Sequence, residues 1–307
     1  MDNHFYKKKA IMVHYLALDL LQLKTDDKML SISACQDKYN AARGTVQNAL
    51  NYLKEQKAII CSNRGHLGTF IKFIDYSILQ KYALIDVILG TMTLPYSKLY
   101  EGFATGLYLA FEQHNIKLNL AYLRGAKERV NSIVKKTYRF AVISRYSANH
   151  ALSVGEPIEI IADFGDQSYL SRHVILFSDK NKSSIEDGMK IGIDYSSLDQ
   201  ELLTKKLVKS KDITLIETSG HQIIHALNSG LIDAGVWNYD EISNKDFKNL
   251  NYLPVDFFED ILDMTASVIV CHRDDQVVKT IISNILEQET ILKIQNSVVN
   301  GDMIPRY

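Results

Sequence analysis

Apolar and polar positions alternate with two periods along this chain, and the period changes from segment to segment. From Ala42 to Gln56, Val46, Ala49, Leu50 and Leu53 are spaced by three and four, so they form one stripe of a helix. Arg43, Gln47 and Asn51 fall on the opposite side. An earlier helix is expected over roughly Lys8 to Leu23, with Ile11, Tyr15 and Leu18, and then Leu16 and Leu21, on its buried side. A second is expected after Ser33 as N-cap, running through ACQDKY. After Lys57 the texture becomes β-prone. AIIC and TFIKF flank the turn residues of RGHLG, with glycines at Gly65 and Gly68.

Three helices and a hairpin make a winged helix-turn-helix, whose third helix enters the DNA major groove. The polar side of that helix suits the task. Arg matches guanine O6/N7, and Gln or Asn matches adenine N6/N7. Hydroxyls such as that of Thr45 more often hold phosphates. The segment Ala42-Arg43-Gly44-Thr45-Val46-Gln47-Asn48-Ala49-Leu50 and the wing Gly65-His66-Leu67-Gly68-Thr69-Phe70 resemble the GntR-type winged-helix domain. Two positions depart from that pattern: Ala42 stands where Ser is usual, and Gln47 where Arg is frequent. DNA contacts are therefore expected from Ser33, Arg43, Gly44, Thr45, Gln47, Asn48 and Asn51, and from Arg64, Gly65 and His66 at the wing.

YSILQKYA, residues 76–83, is expected to be a linker. Beyond it, apolar β-like runs alternate with helical stretches. The runs are LIDVILG, IKLNLAYL, RFAVIS, IEIIADF, HVILFS, KIGID, ITLIET, IDAGVW and ASVIVCHR, and DQVVKTIISNILEQE closes the series as a helix. That texture predicts an α/β fold. Two βα-rich blocks, about 84–155 and 185–240, flank the strand-rich segment 158–178, and a second strand-rich segment follows at about 251–271. This is the layout of a chain that crosses between two lobes and returns. It predicts a type-II periplasmic-binding-protein-like domain over 84–307, with lobe I about 84–160 and 265–307 and lobe II about 175–255. The winged helix would then occupy 1–75.

LGTMTLPYSKLYEGFATGL, with SRYSANHA, IGIDYSS and DAGVW, resembles the YhfZ family of regulators. The resemblance implies a GntR-like helix-turn-helix joined to a binding-protein-like sensor, and it implies no particular effector. In such sheets ligands sit beyond strand carboxyl ends, at helix N-termini. Candidates in the first lobe are Thr91, Pro95, Tyr96 and Ser97, then Arg124, and then Ser144, Arg145 and Tyr146. In the second lobe they are Asp194, Tyr195, Ser196, Thr218 and Trp237, with Ser197, Ser219, Gly220 and Asn238 beside them. Arg124 and Arg145 favour a carboxylate or phosphate on a small polar effector.

Charge and composition refine this picture only slightly. Residues 1–75 hold 11 Lys+Arg against 7 Asp+Glu, whereas 76–307 hold 24 against 29. A mildly basic first part on an acidic remainder is compatible with nucleic-acid binding by the first part alone. The basic run before the first apolar stretch is interrupted by His14 and Asp19, so an amphipathic helix is expected rather than a signal peptide or membrane span. Cys35, Cys61 and Cys271 are odd in number and far apart, which fits a reducing cytoplasm. His221 and His225 share a helical face, but HQIIH lacks the Glu of HExxH, so no metal and no cofactor are expected. The chain reads as a cytoplasmic, homodimeric, effector-responsive regulator of double-stranded operator DNA, and not as an enzyme. Two alternatives stay open: an enzyme on the two-lobed fold, and a binding protein whose winged helix contacts protein.

Overall fold

A computed structural model describes residues 2–83, 87–242, 249–256 and 259–307, with side chains from residue 8 onward. The start of the predicted run LIDVILG (residues 84–86), residues 243–248 of the expected second lobe, and residues 257–258 of the expected strand-rich segment 251–271 lie outside the described residues. The chain divides into two compact units. One is formed by Met1–Ile88, Leu109–Asn119 and Asp274–Glu287, the other by Leu89–Tyr108, Leu120–Arg273 and Gln288–Tyr307.

The first unit carries helices α1 (Asp2–Leu20), α2 (Ile32–Tyr39) and α3 (Arg43–Glu55), then the antiparallel hairpin β1 (Ile59–Asn63) and β2 (Thr69–Ile74). The α1 boundaries lie earlier than expected, and of the residues expected on its buried side Leu16 and Leu21 are buried whereas Ile11 and Tyr15 are not. Met12, Val13, Leu16, Ala17 and Leu20 are buried, while Ile11 and Tyr15 are exposed. Apolar residues surround most of this helix, so spacing alone offered more than one stripe. α2 is capped by Ser31, whose hydroxyl accepts from Ala34 N at 3.1 Å. Ser33, expected as the cap, is an exposed residue of the first turn. Asn40, in the left-handed region at φ 46°, ends α2 and opens the turn to α3. There Val46, Ala49 and Leu53 are buried.

Residues 76–82, expected as a linker, form a further helix, α4 (Tyr76–Tyr82). Asp75 caps it by accepting from Ile78 N at 3.0 Å, and Leu79 is fully buried. Burial of an apolar face turned a segment without strong periodicity into packed structure.

Two five-stranded sheets follow. The order in the first is β4 (Leu118–Tyr122), β3 (Ile88–Met92), β5 (Phe140–Ser144), β12 (Ser267–His272), β6 (Ile158–Asp163). The order in the second is β11 (Asn251–Pro254), β7 (His173–Phe177), β10 (Ala234–Asn238), β8 (Lys190–Ile193), β9 (Thr214–Glu217). Helices α5 (Lys98–Gln113), α6 (Ala126–Val134) and α7 (Arg145–Ser153) accompany the first sheet. α8 (Leu198–Val208) and α9 (Ile223–Asn228) accompany the second. β3 and β5 run parallel, as do β8 with β9 and with β10. β5, β7 and β10 are buried along their whole length, which is why they read as continuous apolar runs rather than alternation.

The chain leaves the first sheet after β6 and returns through β12, running antiparallel to both β5 and β6. Short helix α10 (Ile261–Thr265) lies on the return path. The helix expected over DQVVKTIISNILEQE stops at Ile285 as α11 (Gln276–Ile285), and α12 (Gln288–Val299) begins soon after. The two connections between the sheets are tied together. Tyr169 N donates to Thr265 O at 2.8 Å, Gln167 N to Thr265 Oγ1 at 3.0 Å, and Ser267 N to Ser168 Oγ at 2.8 Å.

Candidate functional site

The outer face of α3 is the first candidate surface. Arg43, Gly44, Gln47, Asn48 and Asn51 are exposed and Thr45 is half-buried. The buried Val46–Ala49–Leu53 stripe forces these side chains outward, since residues on the opposite side of a helix cannot share its packed face. Ala42 offers no side-chain cap to α3, as its departure from the family pattern implies. The wing turns through Gly65 (φ 61°) and Gly68 (φ 101°). The positive φ is what favours glycine at both positions, since the atom nearest a Cβ built on Gly68 is the movable end of the Lys28 side chain. His66 is exposed. Arg64 is engaged: it pairs with Asp26 at 3.0 Å and lies 4.3 Å over the Phe70 ring. Lys72 shares the same carboxylate at 3.3 Å. Lys9 Nζ sits 4.6 Å above the Tyr52 ring.

The second candidate is a cavity of about 330 Å³ in the second unit, lined from both sheets. Of the expected ligand residues, Tyr96, Arg124, Ser144, Asp194, Ser196 and Trp237 line it, as do Gly125, Ser197, Gly220 and Asn238. The helix starts behind them explain the convergence. α6 begins after Gly125, α7 after Ser144 and α8 after Ser197, so each brings a strand-to-helix turn to the cavity.

The other expected residues do not line the cavity. Thr91 is fully buried within β3. Pro95 lies in the loop beyond it. Ser97 is turned inward, accepting from Tyr100 N at 3.3 Å. Thr218 donates to Ile216 O at 3.0 Å. Tyr146 packs into the core of the second sheet, and Tyr195 is exposed beneath the Lys205 ammonium.

Arg145 is the main correction. It bonds Asp163 through Nε and Nη2, both at 2.7 Å, and through Nη1 reaches Asp166 at 2.9 Å and Asp263 at 3.1 Å. These carboxylates come from both connections between the sheets. Arg145 therefore clips the crossovers together instead of facing a ligand. Its hydrogen bonds hold the Asp163 carboxyl below the usual carboxylate range.

Arg124 does reach the cavity, but it too has partners. Its Nη2 bonds both Asp194 oxygens at 3.0 and 3.1 Å, and its Nη1 donates to Ser219 Oγ at 2.5 Å. Burial pushes the Asp194 carboxyl up, but hydrogen bonds from Ser196, Gly220 and Arg124 outweigh that and hold it low. The contact joins the first lobe to the second. Lys127 adds another, donating to Tyr195 O at 3.0 Å and to Glu201 at 2.7 Å. Both arginines that suggested an anionic ligand are thus already neutralised by protein carboxylates.

Sequence reasoning missed the buried polar groups. Arg129 is 3% exposed and lines the cavity. It donates to Leu123 O at 2.7 Å and Tyr169 OH at 2.9 Å, while its Nε has no partner. Asp199 accepts from Ser147 Oγ at 3.0 Å, and burial pushes its pKa up to about 6. Burial likewise raises Glu241 to about 7, although Asn238 Nδ2 donates to it at 2.7 Å. Burial lowers His173 to about 4, leaving the ring neutral. These residues sit inside helices or at strand starts, where a polar side chain normally signals solvent. Only the alternation of Arg129 with Ala126, Val130 and Ile133 on one helix face hinted at an inward position. His221 lines the cavity and is exposed, and His225 is exposed as well, so neither faces the core.

Comparisons with known proteins agree with this geometry. Residues 75–307 match the family model described as YhfZ C-terminal domain, and residues 24–71 match that described as Helix-turn-helix domain. The protein YhfZ of Escherichia coli (strain K12) is 26% identical over 307 residues, covering 100% of each chain. The crystal structure of YhfZ from Shigella flexneri superposes with a TM-score of 0.62 at 27% identity, over 75% of this chain and 97% of that one. The periplasmic aliphatic sulphonate binding protein SsuA from Escherichia coli superposes with a TM-score of 0.52 at 13% identity, over 71% of this chain and 75% of that one. The last likeness speaks to fold alone: a two-sheet, periplasmic-binding-protein-like domain.

Proposed function

The chain belongs to the YhfZ family, and from that premise we propose that it is a transcriptional regulator that binds operator DNA through α3 and the wing and senses a small polar molecule in the cavity between its two sheets. One observation carries the reading. A helix with Arg43, Gln47, Asn48 and Asn51 turned to solvent lies on the same chain as a cavity lined by incompletely partnered polar groups such as Arg129 and Asn238. The first arrangement suits base edges. The second suits a ligand that completes the hydrogen bonds of Arg129 and Asn238.

The two-lobed build supplies a way to signal. A ligand touching both lobes favours the closed arrangement by the difference in its affinity for closed and open forms, and that difference is what a regulator can use. Dimerisation on a palindromic site belongs to this reading, because one module reads only a few base pairs. A cytoplasmic location belongs to it as well, because that is where operator DNA is met. The reading needs no catalytic step: Asp199 and Glu241 line the cavity as polar groups that a ligand can meet.

The test is selection of genomic fragments by the purified full chain at low and moderate salt, followed by footprinting. A protected palindrome, with retention falling steeply as salt rises, supports the reading. Retention that shows no preference over scrambled DNA at low salt rejects α3 as a sequence reader, leaving protein contact as the role of the winged helix. Mass spectrometry of small molecules released on denaturation then examines the sensor half independently.

A further inference from the structure

The charge balance of the cavity goes further than its polarity. Two guanidiniums, Arg124 and Arg129, face three carboxylates, Asp194, Asp199 and Glu241. Arg124 and Asp194 are committed to each other. Arg129 uses two of its nitrogens on Leu123 O and Tyr169 OH, and its remaining Nε is buried. His173 contributes no positive charge, because burial keeps its ring neutral. One carboxyl group is left in excess, without a cationic partner.

The surroundings of Glu241 show where that excess lies. Its Oε1 accepts from Asn238 Nδ2, a neutral donor, at 2.7 Å. The same Nδ2 also reaches Tyr100 OH at 3.3 Å, and the Glu241 carboxylate, which only accepts, sets the orientation of the amide. That orientation turns Asn238 Oδ1 away from both, and this buried acceptor has no partner. Around the carboxylate and the carbonyl the lining is aromatic. Tyr100 and Tyr169 both line the cavity and pack edge-on at 5.2 Å, with the Tyr100 hydroxyl 3.3 Å from Asn238 Nδ2. An acceptor pair beside aromatic rings, with a carboxyl that has no cation of its own, is what an organic ammonium group requires. The carboxylate neutralises it, the carbonyl accepts one of its hydrogens, and the rings attract it through their negative faces.

We infer that the cavity selects a small organic amine bound as its cation, with the ammonium group at Glu241 and Asn238 Oδ1 beside Tyr100, and not the anion that the arginines suggested. The inference rests on the cavity being the ligand site of the proposed sensor. An anion would have to displace Asp194 from Arg124 or be held by a single shielded Nε. A cation displaces nothing.

Trp237 is the single tryptophan of the chain, so its emission reports on this site without labelling. The full chain is titrated with n-butylammonium chloride and, separately, with sodium butyrate, each against sodium chloride at equal ionic strength. The amine is expected to give a saturable change with a midpoint in the millimolar range, the range that ligand efficiency sets for so small a fragment. Butyrate is expected to give none. Glu241→Gln keeps the shape and an acceptor for Asn238 but removes the charge, and should raise the amine midpoint by roughly tenfold while circular dichroism confirms that the variant is folded. A saturable response to butyrate at the same or lower concentration overturns the inference, and so does no saturable response to the amine. An unchanged midpoint in Glu241→Gln overturns it as well. None of these outcomes touches the DNA-retention assay, so failure of the amine assignment and failure of the regulator reading remain distinguishable.

Discussion

Gly125→Ala should force the cavity open. Gly125 has φ 77° and ψ 134°, and a Cβ built on it would lie 2.6 Å from Ser196 O, across the cavity in the second lobe. Ordinary contact begins near 3.4 Å, so the carbonyl must retreat by about 0.8 Å or the lobes must part. The backbone strain of a non-glycine residue at such an angle is on the order of 1–3 kcal/mol, whichever way the clash is relieved. Parting the lobes also breaks the Arg124–Asp194 pair. A hydrogen bond to a charged group is worth about 1.5–3 kcal/mol, and the lower end applies because the Arg124 side chain is 42% exposed. The exposed Lys127–Glu201 contact adds little. The expected loss is therefore about 2–5 kcal/mol. Gly155→Ala is the matched control, because Gly155 has φ 87° and nothing within 4 Å of a built Cβ, so it carries strain without the clash. Urea unfolding read from Trp237 emission compares the two variants, and small-angle scattering reports whether the lobes have parted. If Gly125→Ala is no less stable than Gly155→Ala and scatters like the wild type, the cross-cavity contact does not constrain the lobes and the reasoning fails.

Four further outcomes follow from named contacts. Arg43→Ala should weaken operator binding by about 1–3 kcal/mol and relax preference at one base pair, so unchanged discrimination in a retention assay removes Arg43 from base reading. Asp26→Asn frees Arg64 and Lys72 from their shared carboxylate and deletes a negative charge beside the wing; retention on DNA should rise at low salt and the gain should vanish at high salt, and weaker retention would contradict it. Arg145→Ala leaves Asp163, Asp166 and Asp263 facing one another, so stability should fall by roughly 1–3 kcal/mol, recover partly in high salt, and leave the Trp237 response to amines intact; loss of that response with the fold preserved would return Arg145 to the ligand site. Glu241 is half-buried and desolvation raises its pKa from 4.5 to about 7, so the folded state holds its proton more tightly than the unfolded chain and stability falls as pH rises from 4.5 through 7. Glu241→Gln cannot ionise, so it should match the wild type below pH 4.5 and exceed it by up to ~3 kcal/mol above pH 7, at 1.36 kcal/mol per pKa unit; equal urea midpoints at both pH values would mean that Glu241 is solvated.

Much of the architecture was legible in the sequence because it is written in local periods. The stripe of Val46, Ala49 and Leu53 specified α3 and, with it, which side carries Arg43, Gln47 and Asn51. The apolar runs of β5, β7 and β10 announced buried strands between helices. The strand-rich segments also marked where the chain passes from one sheet to the other and back, and so the two-lobed fold. The first helix shows the limit of periodicity. With apolar residues on most sides of α1, spacing admitted the face of Ile11 and Tyr15 as readily as that of Met12 and Val13, and only packing chose between them.

By itself, then, the sequence determined the order and kind of the elements, the helix-turn-helix, and which turns end at helix starts. Those properties depend on backbone geometry over a few residues, and neighbouring residues encode them. The tertiary structure alone decided which charges meet. Arg145 finds Asp163 and Asp166 nearby in sequence but Asp263 far beyond them, and Arg124 meets Asp194 in the other lobe. Arg129 and Glu241 resemble surface residues until the fold withdraws water from them. A side chain's charge state and partners are set by what the topology brings within a few ångströms, and a one-dimensional pattern does not carry that distance.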